Sequence, residues 1–320
     1  MTKSYSLHSC LAVVSAWPEL MAAIHARLEL FAVEPSAAYD VELAFQPADI
    51  RLGEDTVAPA GRRVYDFPDG EVTYLDEGDR LTIRVGDRVR AVCEPAAGRA
   101  RIFVESPQES DLYLLSHPVL SLLLMELLKR RGYYPLHAAG LALDGHGVLL
   151  AGTSGAGKST LSVALARRGF SFLSDDTVFL EADAPGWRIR AFPDQIDLCA
   201  DTLDLFPELQ GLADAELPPG WRKRQIRAET VYAAPISWDV RPRTLIFPSV
   251  CGTPTSAIRP LSREAALFEL APNVLLTDAA ASQQHLDALA GVISQCTCYR
   301  LDTGRDLDDA VDVVRSAMAS

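Results

Sequence analysis

The chain predicts an α/β fold with a β-rich N-terminal region, and three observations carry that prediction. Residues Gly152-Thr153-Ser154-Gly155-Ala156-Gly157-Lys158-Ser159 spell G-x-x-x-x-G-K-[ST]. They sit between an apolar run, Gly147 to Ala151, that reads as a buried strand, and an amphipathic run from Thr160 that stops at Gly169. From Tyr39 to about Val104 the hydrophobic period is two, in short runs broken by turn residues. From Leu136 to Ala319 strand-like and helix-like segments alternate.

The 320 residues suffice for about two domains; we place the boundary between 112 and 113. Hydrophobic content of 48 % and charged content of 23 % are those of a soluble globular protein. A net charge of −13 argues against nucleic acid and anionic membrane as partners, since both select basic faces. The six cysteines form no C-x-x-C pair, and Cys296 and Cys298 alternate as core thiols on one strand face. Scattered thiols fit a reducing cytoplasm. The most apolar run, Val119 to Leu128, is too short to span a bilayer and contains Glu126. The first twenty residues read as part of the fold rather than as a signal peptide.

Taken in order, Pro18 to Leu30 predicts a helix with Pro18 at an early, tolerated position. Runs such as Val41 to Phe45, Glu71 to Leu75, Leu81 to Val85 and Ala100 to Val104 alternate and predict antiparallel strands. Turns at Pro68-Asp69-Gly70 and Gly86-Asp87 separate them. Pro118 to Arg131 predicts an apolar helix whose Lys129-Arg130-Arg131 end suits the helix dipole. Leu136 to Leu143 predicts a strand, followed by a hairpin turn at Asp144 to Gly147. Phe170 to Ser174 is an apolar strand that ends on Asp175-Asp176. Later segments predict a helix capped by Ser262, a long helix over 277–294, a strand over 297–301 and a closing helix from Leu307.

The glycine loop has a specific chemistry. Gly152, Gly155 and Gly157 permit backbone angles that bring N–H groups onto one concavity, and the following helix N-terminus adds positive potential. Backbone groups from Gly152 through Ser159, with Thr153, Ser154 and Ala156 between the glycines and Thr160 next to them, would wrap phosphates. Lys158 would reach the β- and γ-phosphates, and the Ser159 hydroxyl would ligate Mg²⁺. An acidic strand end such as Asp175-Asp176 meets ligands at the carboxyl edge of the sheet, where one carboxylate binds metal and the other takes a proton. Lys223, Arg224 and Arg227 cluster in an acidic chain and are candidates for phosphate or acidic-substrate binding. His137 sits on the strand paired to the one that carries the loop.

The run from His137 to Asp176 resembles the catalytic domain of HPr kinase/phosphorylase and, more distantly, phosphoenolpyruvate carboxykinase. The shared order is a His-containing strand, a short turn, G-x-S-G-x-G-K-[ST], a helix ending Arg167-Arg168-Gly169, and an apolar strand closing on Asp-Asp. The resemblance implies a carboxykinase-like P-loop kinase core. It further implies Asp175 as general base, Asp176 and Ser159 on Mg²⁺, and His137 near the γ-phosphate. Homo-oligomers are a possibility it raises, since the HPr enzymes form hexamers. Thr160 departs from the Glu usual in those enzymes, and no Gly-[IL]-Arg-Glu-[IL] signature follows the double Asp. Neither HPr as substrate nor phosphorolysis is therefore implied.

The expected function is an ATP- and Mg²⁺-dependent phosphotransferase acting on a hydroxyl, Ser or Thr of a peptide or small protein. A small-molecule acceptor and a non-catalytic nucleotide-binding regulator are the rivals. Nothing in the sequence chooses ATP over GTP.

Overall fold

A computed structural model describes the chain except residues 37, 48–60, 68–69, 106, 109–110, 213–215, 218 and 320, and except the side chains of 65–67. Pro68 and Asp69 of the expected turn lie outside the described residues. The chain forms two compact units. The first holds Met1–Tyr133, Pro218–Trp221 and Leu276–Gln283; the second holds Tyr134–Leu217, Arg222–Leu275 and Gln284–Ser320.

Among the described residues the first unit has nine strands: β1 (Thr2–Ser6), β2 (Cys10–Ser15), β3 (Ala32–Val33), β4 (Val41–Pro47), β5 (Arg62–Phe67), β6 (Gly70–Asp76), β7 (Leu81–Val85), β8 (Val89–Glu94) and β9 (Arg99–Val104). Their order in the sheet is β3-β1-β2-β4-β9-β8-β7-β6-β5. The antiparallel expectation holds from β5 to β9 but fails at β4, which runs parallel to both β2 and β9. Helix α1 (Pro18–Leu28) carries the chain back between β2 and β4 and so permits that pair to be parallel.

Helix α2 (Leu120–Lys129) continues a turn of π-helix over Leu115–Val119, where Pro118 withholds its N–H from the ladder. The whole run, Leu112–Lys129, is long and apolar enough to cross a membrane, longer than its sequence pattern indicated, but 67 % of it is buried within the protein. The sequence boundary at 112/113 assigned this helix to the second unit, whereas it belongs to the first. Its basic end is fully engaged there. Lys129 and Glu126 form a buried ion pair at 2.9 Å, and Lys129 also donates to Thr277. Arg130 grips Asp278 with two hydrogen bonds. Arg131 donates to the helix carbonyl of Leu127 at 3.1 Å.

The second unit is the α/β part. Its strands are β10 (Tyr134–Leu143), β11 (His146–Ala151), β12 (Ser171–Ser174), β13 (Thr177–Asp183), β14 (Gly186–Arg190), β15 (Ile196–Leu198), β16 (Arg224–Ile226), β17 (Asp239–Val250), β18 (Ala257–Pro260) and β19 (Thr297–Thr303). β10 and β11 form a hairpin with Asp144 and Gly145 both at positive φ, the tight turn an Asp-Gly pair favours. β11, β17 and β19 are parallel neighbours.

Helices α3 (Lys158–Arg167), α4 (Arg263–Leu270), α5 (Ala279–Gln295) and α6 (Leu307–Met318) follow in the chain. Side chains alternate along β11, so Val148 and Leu150 join one core while Leu149 and Ala151 join another. The first core contains Leu161 and Leu165 of α3 with Val311 and Val314 of α6. The second contains Leu270 of α4 with Leu289 and Val292 of α5. A strand buried on both faces must be apolar throughout, which is why Gly147 to Ala151 carries no polar residue. Cys296 and Cys298 are buried in the second core, as core thiols should be.

Candidate active site

Buried β11 delivers the chain to the glycine loop at the carboxyl edge of its sheet, and α3 begins at Lys158. Gly152 at φ 148° and Gly157 at φ 93° hold backbone that a side chain would strain. Thr153, Ser154 and Gly155 are exposed on the loop crest. Lys158 folds back over the loop, and its Nζ donates to the carbonyls of Gly152 at 2.8 Å and Thr153 at 3.3 Å. Burial pushes the Lys158 ammonium down; the charges of Asp176 and Asp175 oppose that, and Lys223 adds to it.

The loop reaches the double Asp through one hydroxyl. Ser159 Oγ donates to Asp175 Oδ2 at 2.7 Å. Asp175 is 5 % exposed, and burial pushes its carboxyl up to about 6. The charge of Asp176 adds to the rise, while the Ser159 hydrogen bond works against it. The second oxygen, Oδ1, is buried, and a hydrogen bond from Ser162 also works against the rise.

Asp176 points elsewhere. Its Oδ1 lies 3.1 Å from His137 Nδ1, and its Oδ2 accepts from Thr177 Oγ1 at 3.2 Å. Protein packed behind this exposed residue disfavours its charge, but the charge and hydrogen bond of His137, with Lys158 and Thr177, outweigh that and hold the carboxyl below the usual range. His137 is raised in turn, chiefly by the charge of Asp176. Strand register makes this pair. β10 pairs with β13 up to His137↔Thr177 and with β11 from Ala138↔Ala151 onward. His137 therefore stands where β10 changes partners, between the glycine loop and the carboxylates.

Of the three cations proposed from sequence, Lys223 shares the site's electrostatics, lowering Lys158 and Asp197. Arg224 donates to the carbonyl of Leu212 at 2.7 Å, and Arg227 pairs with Glu229 at 3.5 Å. Both of these contacts are local. Thr160 turns its hydroxyl to Thr202, 3.0 Å away, which in turn contacts Cys199.

Asp197 is a site neighbour that sequence reasoning missed. It accepts from Gln225 Nε2 at 2.9 Å across β15 and β16, burial raises its carboxyl, and its charge is felt at Asp175. The available signal was a lone carboxylate between two buried apolar residues, Ile196 and Leu198, on a three-residue strand.

Hard oxygen donors, the Ser159 hydroxyl and the carboxylates of Asp175 and Asp176, suit Mg²⁺. Among the described residues, no group of three or more His, Cys, Asp and Glu side chains is gathered as a metal centre. A phosphate-borne magnesium needs none, since it keeps waters and takes one or two protein ligands.

Known proteins match this region in part. The family model described as SynChlorMet cassette protein ScmC matches residues 104–210. HPr kinase/phosphorylase from Chlorobium chlorochromatii is 30 % identical over 110 residues, 33 % of this chain and 31 % of that protein. HPr kinase/phosphorylase from Bordetella pertussis is 40 % identical over 89 residues, 26 % of this chain and 29 % of that protein. The chain thus spans about a third of the length of these relatives. The solved HPr(Ser) kinase/phosphatase from Coxiella burnetii aligns at 14 % identity over 57 % of this chain and 94 % of that one, with a TM-score of 0.31, which does not establish a common overall fold. The relation to HPr kinase/phosphorylase is the one these matches have in common.

Proposed function

We propose that this chain, an HPr kinase-like relative, is an ATP- and Mg²⁺-dependent kinase that moves a γ-phosphoryl group to a hydroxyl, that of Ser or Thr in a peptide or small protein. The observation that carries the reading is the bond from Ser159 to Asp175 inside a complete phosphate loop, with His137 and Asp176 paired beside it.

The loop N–H groups of Gly152 to Ser159 hold the phosphates, and Lys158 moves from its own carbonyls onto the β- and γ-oxygens. Ser159 and Asp176 would hold magnesium, which would neutralise charge on the transferred group. Asp175 would take the acceptor hydroxyl's proton at Oδ2, the oxygen that accepts from Ser159 in the free protein. A carboxyl raised to about 6 is better matched to that task at neutral pH than an ordinary one. His137 fixes the orientation and charge of Asp176. Lys223 lies close enough to the site to attract an anionic acceptor or phosphate.

A test is to incubate the purified chain with ATP and Mg²⁺ in an extract of its own cell, then compare phosphopeptides and phosphorylated metabolites by mass spectrometry. New phosphoserine or phosphothreonine that requires Lys158 supports the proposal. A phosphorylated metabolite alone would replace the acceptor with a small molecule. No phosphorylated product, from protein that binds nucleotide, would remove the kinase reading.

A further inference from the structure

We propose that Val250 is the apolar platform on which the nucleoside of the bound nucleotide rests. This rests on the reading of Gly152 to Ser159 as a triphosphate loop, and it names the part of the site that would hold the other end of the ligand.

β11 has a neighbour on each side. On one side lies β10, which carries His137 and pairs with β12, the strand that ends at Asp175 and Asp176. The reacting end of a triphosphate must face those groups. Its nucleoside end therefore leaves over the other side, where β17 lies parallel to β11.

β17 overshoots its neighbour there. Leu150 pairs with Ile246 near the end of β11, and β17 continues alongside the loop to Val250. The Pro248 carbonyl is 4.0 Å from where a Cβ on Gly152 would sit, and Val250 Cγ2 is 3.0 Å from the same position on Gly157. Val250 nevertheless remains 66 % exposed. A β-branched apolar side chain thus stands at the rim of the phosphate loop with most of its surface uncovered. A flat ring laid against it would remove that surface from water.

The platform is fixed before any ligand arrives. The β17–β19 ladder runs to Val250↔Thr303. Beyond it, Cys251 N donates to Thr303 O at 2.9 Å, Arg305 N to Thr253 O at 3.0 Å, and Asp306 N to Pro254 O at 3.0 Å. Gly304 N donates to Ser256 Oγ at 3.0 Å. A Cβ at Gly304 would come within 2.9 Å of Pro254 O, so the two loops are closed on each other. Rigid support of this kind lowers the ordering cost of binding.

The test compares ATP with inorganic tripolyphosphate, both with Mg²⁺, by calorimetry on wild type, Val250→Asn and Lys158→Ala. Tripolyphosphate carries the phosphates without a nucleoside. Val250→Asn is expected to weaken ATP about fivefold, the loss of roughly half a buried valine, and to leave tripolyphosphate within about twofold. Lys158→Ala is expected to weaken both. Unchanged ATP affinity in Val250→Asn, or equal weakening of both ligands, overturns the platform while the loop reading stands. Should Lys158→Ala bind both ligands as wild type does, the loop reading fails and the platform falls with it.

Discussion

Asp175→Asn separates two properties that the geometry ties to one side chain. The amide oxygen of Asn still accepts from Ser159, so the 2.7 Å bond that links loop to strand end survives. What disappears is the carboxylate proposed to accept the proton. Transfer should fall by about 10²- to 10⁴-fold, with nucleotide affinity held within a few-fold. The same substitution has a stability signature. A carboxyl at about 6 rather than 3.8 means that ionisation costs the folded state about 3 kcal/mol. Because the folded value is raised, the contribution is full below pH ~4 and is lost as pH rises through about 6. In magnesium-free buffer Asp175→Asn should therefore melt above wild type at pH 8, and the difference should vanish near pH 4. The assays are single-turnover transfer of labelled γ-phosphate and thermal melts across pH. Full transfer activity in the variant would refute the base assignment. Equal melting at pH 8 would refute the buried, raised carboxyl.

Other outcomes follow from the same contacts. Asp176→Asn removes the carboxylate paired with His137 and proposed to hold magnesium, so the Mg²⁺ concentration for half-maximal activity should rise about tenfold or more; an unchanged requirement would exclude Asp176 from the metal. Glu126→Ala strands Lys129 in the first unit's interior and should cost about 3–5 kcal/mol in denaturant unfolding, whereas a loss under 1 kcal/mol would mean Lys129 finds water or another partner. Gly291→Ala drives a methyl into the indole of Trp187, with Cε2 only 2.8 Å away, and should cost about 1–3 kcal/mol; a neutral effect would show that the indole moves aside freely.

The strand–glycine loop–helix arrangement was legible because every feature it needs is contiguous. Strand, glycines, Lys158 and helix succeed one another, and no distant residue decides their conformation. The double Asp was legible for a related reason, as a polar stop on an apolar run. What the sequence hid depends on pairing between distant segments. The parallel pairing of β4 with β2 and with β9 joins segments that no local period relates. Asp197 enters the site only because β15 and β16 pair across 28 residues. Arg224 and Arg227 looked equivalent to Lys223 in sequence, yet each has a local partner that a count of charges does not reveal. The helix before β10 was read with the second domain because its apolar character fits either core; its buried Lys129–Glu126–Thr277 contacts decide for the first. The role of His137 lay between these cases. Its strand was evident, but the change of partners that sets it beside Asp176 is a matter of register.

The measurement that tests the central claim most directly is transfer of label from γ-labelled ATP, with Mg²⁺, by wild type and by Lys158→Ala, in the presence of the cell's own small proteins and peptides. A kinase of this kind gives a labelled species that appears with wild type, requires Mg²⁺, and is absent with Lys158→Ala. Nucleotide bound by wild type with no label transferred to any protein, peptide or metabolite would contradict the claim.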